Sequence, residues 1–169
     1  MSAPLEPERL LRCFADAHVR YVVIGGLAVN AYGVIRGTKD LDICPDPARA
    51  NLERLATVLL DLHAVQIGME DFGADEMPFD PTKVDDLVQG GNFRLRTRLG
   101  DLDVMQWLPG VPGDVAYATL EAEAMLLALG DLQVPVCSLH HLRAMKRAAG
   151  RPQDLKDLAD LAIAHGDDE

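Results

Sequence analysis

Clusters and alternations of apolar residues predict several short strands. The run from Arg20 to Gly25 is almost continuously apolar, as expected for a buried strand. Later, Phe93, Leu95 and Thr97 alternate with arginines, which is typical of one arm of a hairpin. The predicted strands are residues 20–25, a segment that holds Asp40 and Asp42 and ends at Pro45, residues 64–69, and two hairpins that turn at Leu99-Gly100 and Gly130-Asp131.

Apolar residues three and four positions apart predict helices between these strands and at both ends of the chain. Leu10, Leu11 and Phe14 form such a stripe near the N-terminus. The predicted helices are residues 7–17, residues 27 to about 32, one capped by Asp46 and begun by Pro47, a small one begun by Asp80-Pro81, one capped by Ser138, and one from Arg151 onward. Trp107, the single tryptophan, is expected in the core.

These elements together predict an α/β (α+β) fold with a mixed sheet flanked by helices. The sequence has no internal repeat, linker or low-complexity segment. We therefore expect residues 1–169 to form one domain. Residues 1 to about 110 would form its core, and about 111–169 a hairpin and C-terminal helices.

Composition narrows the choice of partners. With 169 residues, 49% of them hydrophobic, the chain can bury a core, and its net charge is −11. An extended groove for duplex nucleic acid requires the opposite charge, because affinity there comes largely from neutralising phosphates. Acidity is instead compatible with binding divalent cations.

Cysteine usage and hydropathy suggest a cytoplasmic protein. Cys13, Cys44 and Cys137 are odd in number and far apart, which fits neither a disulfide framework nor a thiolate zinc site. No apolar run approaches the roughly 20 residues needed to span a bilayer. The first residues also lack the charged and apolar regions of a secretion signal.

Paired aspartates in apolar strands are the strongest chemical signal. Asp40 and Asp42 project to the same side of their strand, where like charges repel unless a cation joins them. Asp101 and Asp103 repeat the pattern in the first hairpin, and we expect Asp103 to reach the site and Asp101 to lie nearer solvent. Alone, one such pair is more often a solvated pair of surface charges. Two pairs favour a site for a divalent metal, commonly bound through carboxylates and substrate phosphates.

Gly25 and Gly26 separate a predicted strand from a predicted helix. Free backbone N–H groups at such a junction can bind an anion, and the lack of Cβ atoms lets phosphates approach closely. Neither G-x-x-x-x-G-K-[ST] nor G-x-G-x-x-G is present. A tight turn without a ligand is the alternative.

Three segments together resemble the nucleotidyltransferase superfamily with the DNA polymerase β-type palm, and in particular its small bacterial minimal nucleotidyltransferases and abortive-infection toxin-like members. The segments are "GGLAVNAYGVIRGTKDLDI", "LGDLDVMQWLPG" and "LHHLRAMKRAAGRPQDLKDLADL". They lie in the beginning, middle and end of the chain. The resemblance implies a nucleotidyltransferase-type mixed sheet with a palm-like core and C-terminal helices.

The resemblance also implies roles for individual residues. Gly25 and Gly26 would hold the nucleotide phosphates. Asp40 and Asp42 would bind two Mg²⁺ ions, with Mn²⁺ as an alternative, and Asp103 would complete the metal site and help to deprotonate the acceptor. Two ions roughly 3.5–4 Å apart can stabilise both the entering and the leaving oxygen. Many members have Gly-Ser in place of Gly25-Gly26, and an acidic or small residue is frequent at the position of Lys39.

Several basic and polar residues have two interpretations. Arg36 could contact the nucleotide or pair with a carboxylate. Thr38 is counted with the nucleotide-binding residues, although a structural hydrogen bond is favoured. Lys146 could reach the triphosphate, whereas Arg151, Asp154 and Asp157 are interpreted as structural. Arg94, Arg96 and Arg98 could contact phosphates of an acceptor, but a solvated face opposite the core is favoured.

We therefore expect a magnesium-dependent enzyme that moves NMP from an NTP, such as ATP, to an acceptor hydroxyl. The acceptor could be a protein, a tRNA end or a small molecule, and the resemblance raises a toxin–antitoxin setting with an antitoxin partner. One alternative is a catalytically silent domain of the same fold that binds a nucleotide or a partner. Another is a structural domain that binds Ca²⁺ without nucleotide.

Overall fold

A computed structural model describes residues 3–68, Glu76 and 80–167 of the chain. The helices of this part are α1 (Pro7–Asp16), α2 (Gly25–Ala31), α3 (Arg49–Asp61), α4 (Val84–Val88), α5 (Ala116–Glu123), α6 (Leu139–Ala149) and α7 (Pro152–His165). Its strands are β1 (Tyr21–Ile24), β2 (Asp40–Pro45), β3 (Val65–Gln66), β4 (Asn92–Thr97), β5 (Gly100–Met105), β6 (Met125–Leu129) and β7 (Leu132–Val136).

The strands form one mixed sheet in the order β3-β4-β5-β2-β1-β7-β6. β2 and β5 pair in parallel, as do β1 and β7, and the other neighbours are antiparallel. The predicted α/β fold with a mixed sheet and C-terminal helices is confirmed. Because β7 pairs with β1, the last third of the chain completes the sheet that the first third begins.

The core lies where buried strand residues meet apolar helix faces. All four residues of β1 are buried, and Leu41 and Ile43 of β2 are fully enclosed. α1 contributes the predicted stripe of Leu10, Leu11 and Phe14. This packing leaves the alternate residues of β2 and β5, the aspartates, on the other side of the sheet.

The C-terminal helices reach the beginning of the chain. Ser138 caps α6 as predicted, since its Oγ accepts a hydrogen bond of 3.1 Å from the backbone N–H of His141. α6 packs against both α7 and α2. The helix that starts at Gly25 is therefore held between the sheet and the C-terminal segment.

Two helix boundaries and one helix differ from the predictions. α2 begins at Gly25 rather than at Leu27, directly after β1 and without a separate turn. α3 begins at Arg49, because Asp46 accepts a hydrogen bond from the N–H of Ala48 and turns the chain before the helix. α5 was not predicted, because its only buried residues are Tyr117 and Leu120 and they do not form an extended apolar stripe.

The prediction that Trp107 lies in the core is wrong. β5 ends at Met105, and the next two backbone N–H groups both donate to the side-chain oxygen of Asn92, each at 3.0 Å. The chain thus leaves the sheet two residues before Trp107, whose exposed fraction is 65%.

The described residues between α3 and β4 include the short strand β3 and the short helix α4. β3 contains only Val65 and Gln66, and α4 begins at Val84, after a turn in which Asp80 accepts from the N–H of Thr82. The end of the predicted strand at residue 69 lies outside the described residues. No helix of the described part is long and apolar enough to cross a membrane.

Candidate active site

The parallel pairing of β2 with β5 places the aspartates side by side. Asp40 lies opposite Asp101, and Asp42 opposite Asp103. One carboxylate oxygen from each of Asp40, Asp42 and Asp103 lies within 4.8 Å of the other two. The structure therefore brings together the three carboxylates that the sequence singled out.

Asp101 stays outside this group. The side chain of Asp101 is 25% exposed and that of Asp103 is 17% exposed. Asp101 therefore lies nearer solvent, as expected from the sequence. It faces Arg96 instead, with 3.6 Å between the arginine Nε and its Oδ1. We call Asp40, Asp42 and Asp103 the carboxylate cluster.

Burial and repulsion between carboxylates raise the pKa of Asp42 and of Asp103. Burial raises the pKa of Asp42 well above its ordinary value, and the charges of Asp40 and Asp103 raise it further. Burial and the charge of Asp40 also raise the pKa of Asp103, although a hydrogen bond with Asp42 and the charge of Arg94 oppose this effect. Both shifts show that gathering negative charge here is unfavourable without a cation.

The donor set of the carboxylate cluster fits a hard divalent cation. In the described part of the chain, neither histidine nor cysteine joins the group. Oxygen-only ligands suit Mg²⁺ and Mn²⁺ and are a poor match for a site that would select zinc or copper. The three carboxylates are thus suited to the metal that the resemblance implies.

Gly25 and Gly26 leave room for side chains of β2 and of the loop before it. Gly25 has φ +68°, and a Cβ on it would overlap the carboxylate of Asp42. A Cβ on Gly26 would overlap Nη1 of Arg36 and come within 2.8 Å of the hydroxyl of Thr38. The diglycine therefore lies against the carboxylate cluster on one side and a cation on the other.

Two polar residues, Thr38 and Arg36, fix the loop before β2. Thr38 donates a hydrogen bond of 3.0 Å from its hydroxyl to the backbone oxygen of Asp40, which is the structural role favoured from the sequence. Arg36 pairs through Nε with Asp157 of α7 at 3.2 Å. Its Nη1 remains beside Gly26, so the ion pair positions the guanidinium at the diglycine.

A cluster of ion pairs, buried except for Arg151, underlies this loop. Lys146 of α6 places its ammonium 2.9 Å from Asp157 and 3.2 Å from Asp154, and both aspartate side chains are at most 1% exposed. Arg151 pairs with Asp154 at 2.7 Å and caps α7, which confirms the predicted ion pair at the helix start. We call Lys146, Arg151, Asp154 and Asp157 the ion cluster.

Lys146 also influences the carboxylate cluster from a distance. Its positive charge lowers the pKa of Asp42, against the larger effects that raise it. The ammonium itself is engaged by two aspartates. Its direct contact with a triphosphate, suggested from the sequence, stays a prediction.

Two arginines that were expected on a solvated face opposite the core lie next to the candidate site. Arg94 and Arg96 of β4 lie opposite Asp103 and Asp101 and share their side of the sheet. Arg98 does not share it, because it lies in the turn after β4 and donates to the backbone oxygen of Asp61. The period-two alternation gave the signal, but the strand register was needed to place it.

Comparison with solved structures identifies the fold. The lincosamide antibiotic adenylyltransferase LnuA, bound to lincomycin, is 17% identical with a TM-score of 0.57, covering 95% of this chain and 99% of its own. ANT(2'')-Ia in complex with adenylyl-2''-tobramycin is 16% identical with a TM-score of 0.55, covering 93% and 86%.

A third neighbour is a bacterial protein of similar size. TM1012 from Thermotoga maritima, a candidate nucleotidyltransferase by its name, is 14% identical with a TM-score of 0.56, and the match covers 95% of this chain and 96% of that one. No protein-family model and no curated protein matches this sequence. The likenesses extend over nearly the whole chain, and they show that this protein has the nucleotidyltransferase fold.

Proposed function

We propose that this protein is a magnesium-dependent nucleotidyltransferase that moves NMP from an NTP to an acceptor hydroxyl and releases pyrophosphate. The observation that carries the proposal is the carboxylate cluster, with one oxygen of each member within 4.8 Å of the others. The neighbours' fold supports it independently, because a protein named as an adenylyltransferase, LnuA, shares the architecture.

Each member of the carboxylate cluster has a role in this reaction. Asp40, Asp42 and Asp103 hold Mg²⁺, which when bound supplies positive charge beside the phosphorus under attack. The acceptor oxygen forms a bond to the α-phosphorus while the bond to the β-phosphate oxygen breaks. The hydroxyl proton goes to Asp103, and pyrophosphate leaves with the bonding electrons.

The diglycine and Arg36 bind the phosphates. Without Cβ atoms, Gly25 and Gly26 let the backbone approach phosphate oxygens close to Asp42. Arg36 adds a cation at the same place, held there by Asp157. Thr38 fixes the backbone at Asp40, and Lys146 adds positive charge behind the site.

The acceptor and the cellular setting are narrower questions. The names of LnuA and of the ANT(2'')-Ia complex each refer to an adenylyl group and to an antibiotic. ATP is therefore the first NTP to test, and a small molecule is one class of acceptor. A protein or a tRNA end is the other class. The antitoxin partner and the cytoplasmic location stay predictions from the resemblance and the composition.

Titration calorimetry with each NTP, with and without Mg²⁺, tests the binding half of the proposal. We expect binding that requires the metal and that Asp42→Ala abolishes. Asp101→Ala is the matched control, since it removes a carboxylate from the same sheet face but outside the carboxylate cluster. An absence of NTP binding in the unaltered protein contradicts the proposal, and Ca²⁺ binding alone would favour a structural metal site.

Incubation with labelled NTPs and cell lysate tests the transfer half. The proposal predicts a labelled acceptor and released pyrophosphate, both lost in Asp42→Ala. Metal-dependent NTP binding without pyrophosphate release for any acceptor would instead favour the catalytically silent domain.

A further inference from the structure

Two arginines extend the row of charges across the sheet. Arg94 lies opposite Asp103 with Nε 3.8 Å from Oδ1, and Arg96 lies opposite Asp101 at 3.6 Å. Strand geometry separates the two arginines by about 6.6 Å along β4. They stand in the strand next to the carboxylate cluster and on the same side of the sheet.

Neither arginine is fully used by its aspartate. Both separations exceed the 2.7–3.2 Å or so of a normal hydrogen bond, so these are loose ion pairs. The side chains of Arg94 and Arg96 are 51% and 45% exposed. A guanidinium has five N–H donors, and within the described part of the chain each of these arginines has one loose ion pair, so that donors remain for a ligand.

The strand order puts these arginines on the acceptor side of the reaction. Gly25 and Arg36 lie at the β1 edge of the carboxylate cluster, whereas Arg94 and Arg96 lie at its β4 edge. In-line displacement requires the entering hydroxyl and the leaving pyrophosphate on opposite sides of the phosphorus. If pyrophosphate leaves along the diglycine, the acceptor enters over β5 and β4.

We propose that the acceptor carries phosphate next to its reacting hydroxyl, and that Arg94 and Arg96 bind this phosphate. The inference rests on the proposed function and names the acceptor class of the same site. Guanidinium groups bind phosphate through paired, charge-assisted hydrogen bonds, and they repel cationic acceptors. Their separation along β4 also suits successive phosphates of an extended single strand.

A phosphate-bearing hydroxyl can come from a polynucleotide end or from a phosphorylated small molecule, and two probes separate these sources. The first is a fluorescein-labelled RNA hexamer with a free 3′ hydroxyl, followed by anisotropy in the presence of Mg²⁺. The second is glucose 6-phosphate, followed by calorimetry under the same conditions.

We expect at least one probe to bind, and Arg94→Gln and Arg96→Gln each to weaken that binding roughly tenfold. For the hexamer, the slope of log K against log salt should fall by about 0.7 for each arginine removed. Arg98→Gln is the matched control, because it removes the same charge from the same hairpin but from the turn beside α3. Hexamer binding identifies a polynucleotide source, and binding of glucose 6-phosphate alone identifies a small molecule.

The inference is overturned if neither probe binds, if Arg98→Gln weakens binding equally, or if the Arg94→Gln/Arg96→Gln double variant binds as tightly as the unaltered protein. Calorimetry with Mg²⁺ and ATP on the same proteins separates the two proposals. Intact ATP binding with no arginine-dependent phosphate binding overturns only the acceptor class. If the unaltered protein does not bind ATP, the proposed function itself is overturned.

Discussion

Gly25 has a structural reason that the sequence alone does not reveal. The strand–diglycine–helix pattern predicts a phosphate site, whereas the structure shows that the missing Cβ also makes room for the carboxylate of Asp42. The left-handed φ of +68° adds a second reason for glycine. Gly25 therefore makes room for the carboxylate cluster, and it is also part of the proposed phosphate site.

Gly25→Ala should abolish metal-dependent NTP binding, because the added Cβ displaces Asp42. It should also destabilise the fold by about 1 kcal/mol or more through the strained φ. Gly130→Ala separates these effects, since Gly130 has a similar φ of +60° but open space around its Cβ position. Equal losses of NTP binding in both variants, by calorimetry, would show that strain alone is responsible.

Asp42→Asn should stabilise the metal-free protein at neutral and alkaline pH. The pKa of Asp42 is raised in the folded state, so between the ordinary aspartate pKa and the raised value the folded protein holds a proton that the unfolded chain has lost. Stability of the unaltered protein therefore falls as pH rises through that window. The asparagine variant lacks this penalty, and its Tm should be higher by about 2–4 °C per kcal/mol relieved.

Thermal melts from pH 4 to pH 8 check this expectation. The gap between the two proteins should close toward pH 4, and saturating Mg²⁺ should shrink or reverse it at pH 8. A gap that is independent of pH would show that the carboxylate repulsion is not its cause.

For single residues, the face of a strand to which a side chain points could be predicted from the sequence. The residues that it contacts from distant parts of the chain could not. The i, i+2 rule placed Asp40 and Asp42 on one face without any structure. Whether Arg94 faces Asp103 depends on the register of two strands, and whether Lys146 binds a nucleotide or an aspartate depends on how α6 and α7 pack. The spacing of residues along the chain specifies neither the strand register nor the helix packing.

At the scale of the elements, the ion cluster connects α6 and α7 to the loop before β2. Asp157 receives both Lys146 and Arg36, and its side chain is completely buried. Burying a charge is costly unless it stays paired, so the ion cluster is sensitive to the loss of any of its buried members, Lys146, Asp154 and Asp157.

Asp157→Asn should lower the free energy of unfolding by about 3–5 kcal/mol, because it leaves Lys146 and Arg36 without their shared carboxylate. Lys156→Met is the matched control on the same helix. It breaks an exposed pair with Asp160 and should cost less than about 1 kcal/mol. Urea unfolding measures both, and similar values for the two variants would contradict the account.

Trp107 provides a check on the element boundary that sequence reasoning missed. Trp107 was expected in the core, but the side chain of Asn92 ends the strand pairing at Met105. A polar side chain of the neighbouring strand β4 therefore decides this boundary, and the residues around Trp107 give no sign of it.

The fluorescence of Trp107 should therefore be strongly quenched by acrylamide in the folded protein. Because it is the only tryptophan, the signal reports this position alone. With 65% of the residue exposed, quenching should rise little further in urea. Weak quenching before unfolding and strong quenching after it would place the indole in the core instead.

At the level of the whole molecule, the fold class was predictable and the topology was not. Short apolar strands between amphipathic helices indicate an α/β domain from composition and period alone. The pairing of β1 with β7 joins residues more than 100 positions apart, and no local pattern specifies it. The resemblance in three segments implied a nucleotidyltransferase-type mixed sheet, but it did not specify this pairing.

The whole-molecule arrangement also reconciles an acidic protein with the phosphate substrate that we propose. The net charge is −11, yet Arg36 and the arginines of β4 lie on either side of the carboxylate cluster. Positive charge is thus local to the site.

The central claim is that Asp40, Asp42 and Asp103 together bind the metal that binds the nucleotide. Anomalous diffraction from crystals grown with Mn²⁺ and a non-hydrolysable ATP analogue tests it most directly. The account predicts manganese peaks coordinated by all three carboxylates, with the triphosphate against Gly25 and Gly26. Peaks elsewhere, or nucleotide bound away from these aspartates, would contradict it.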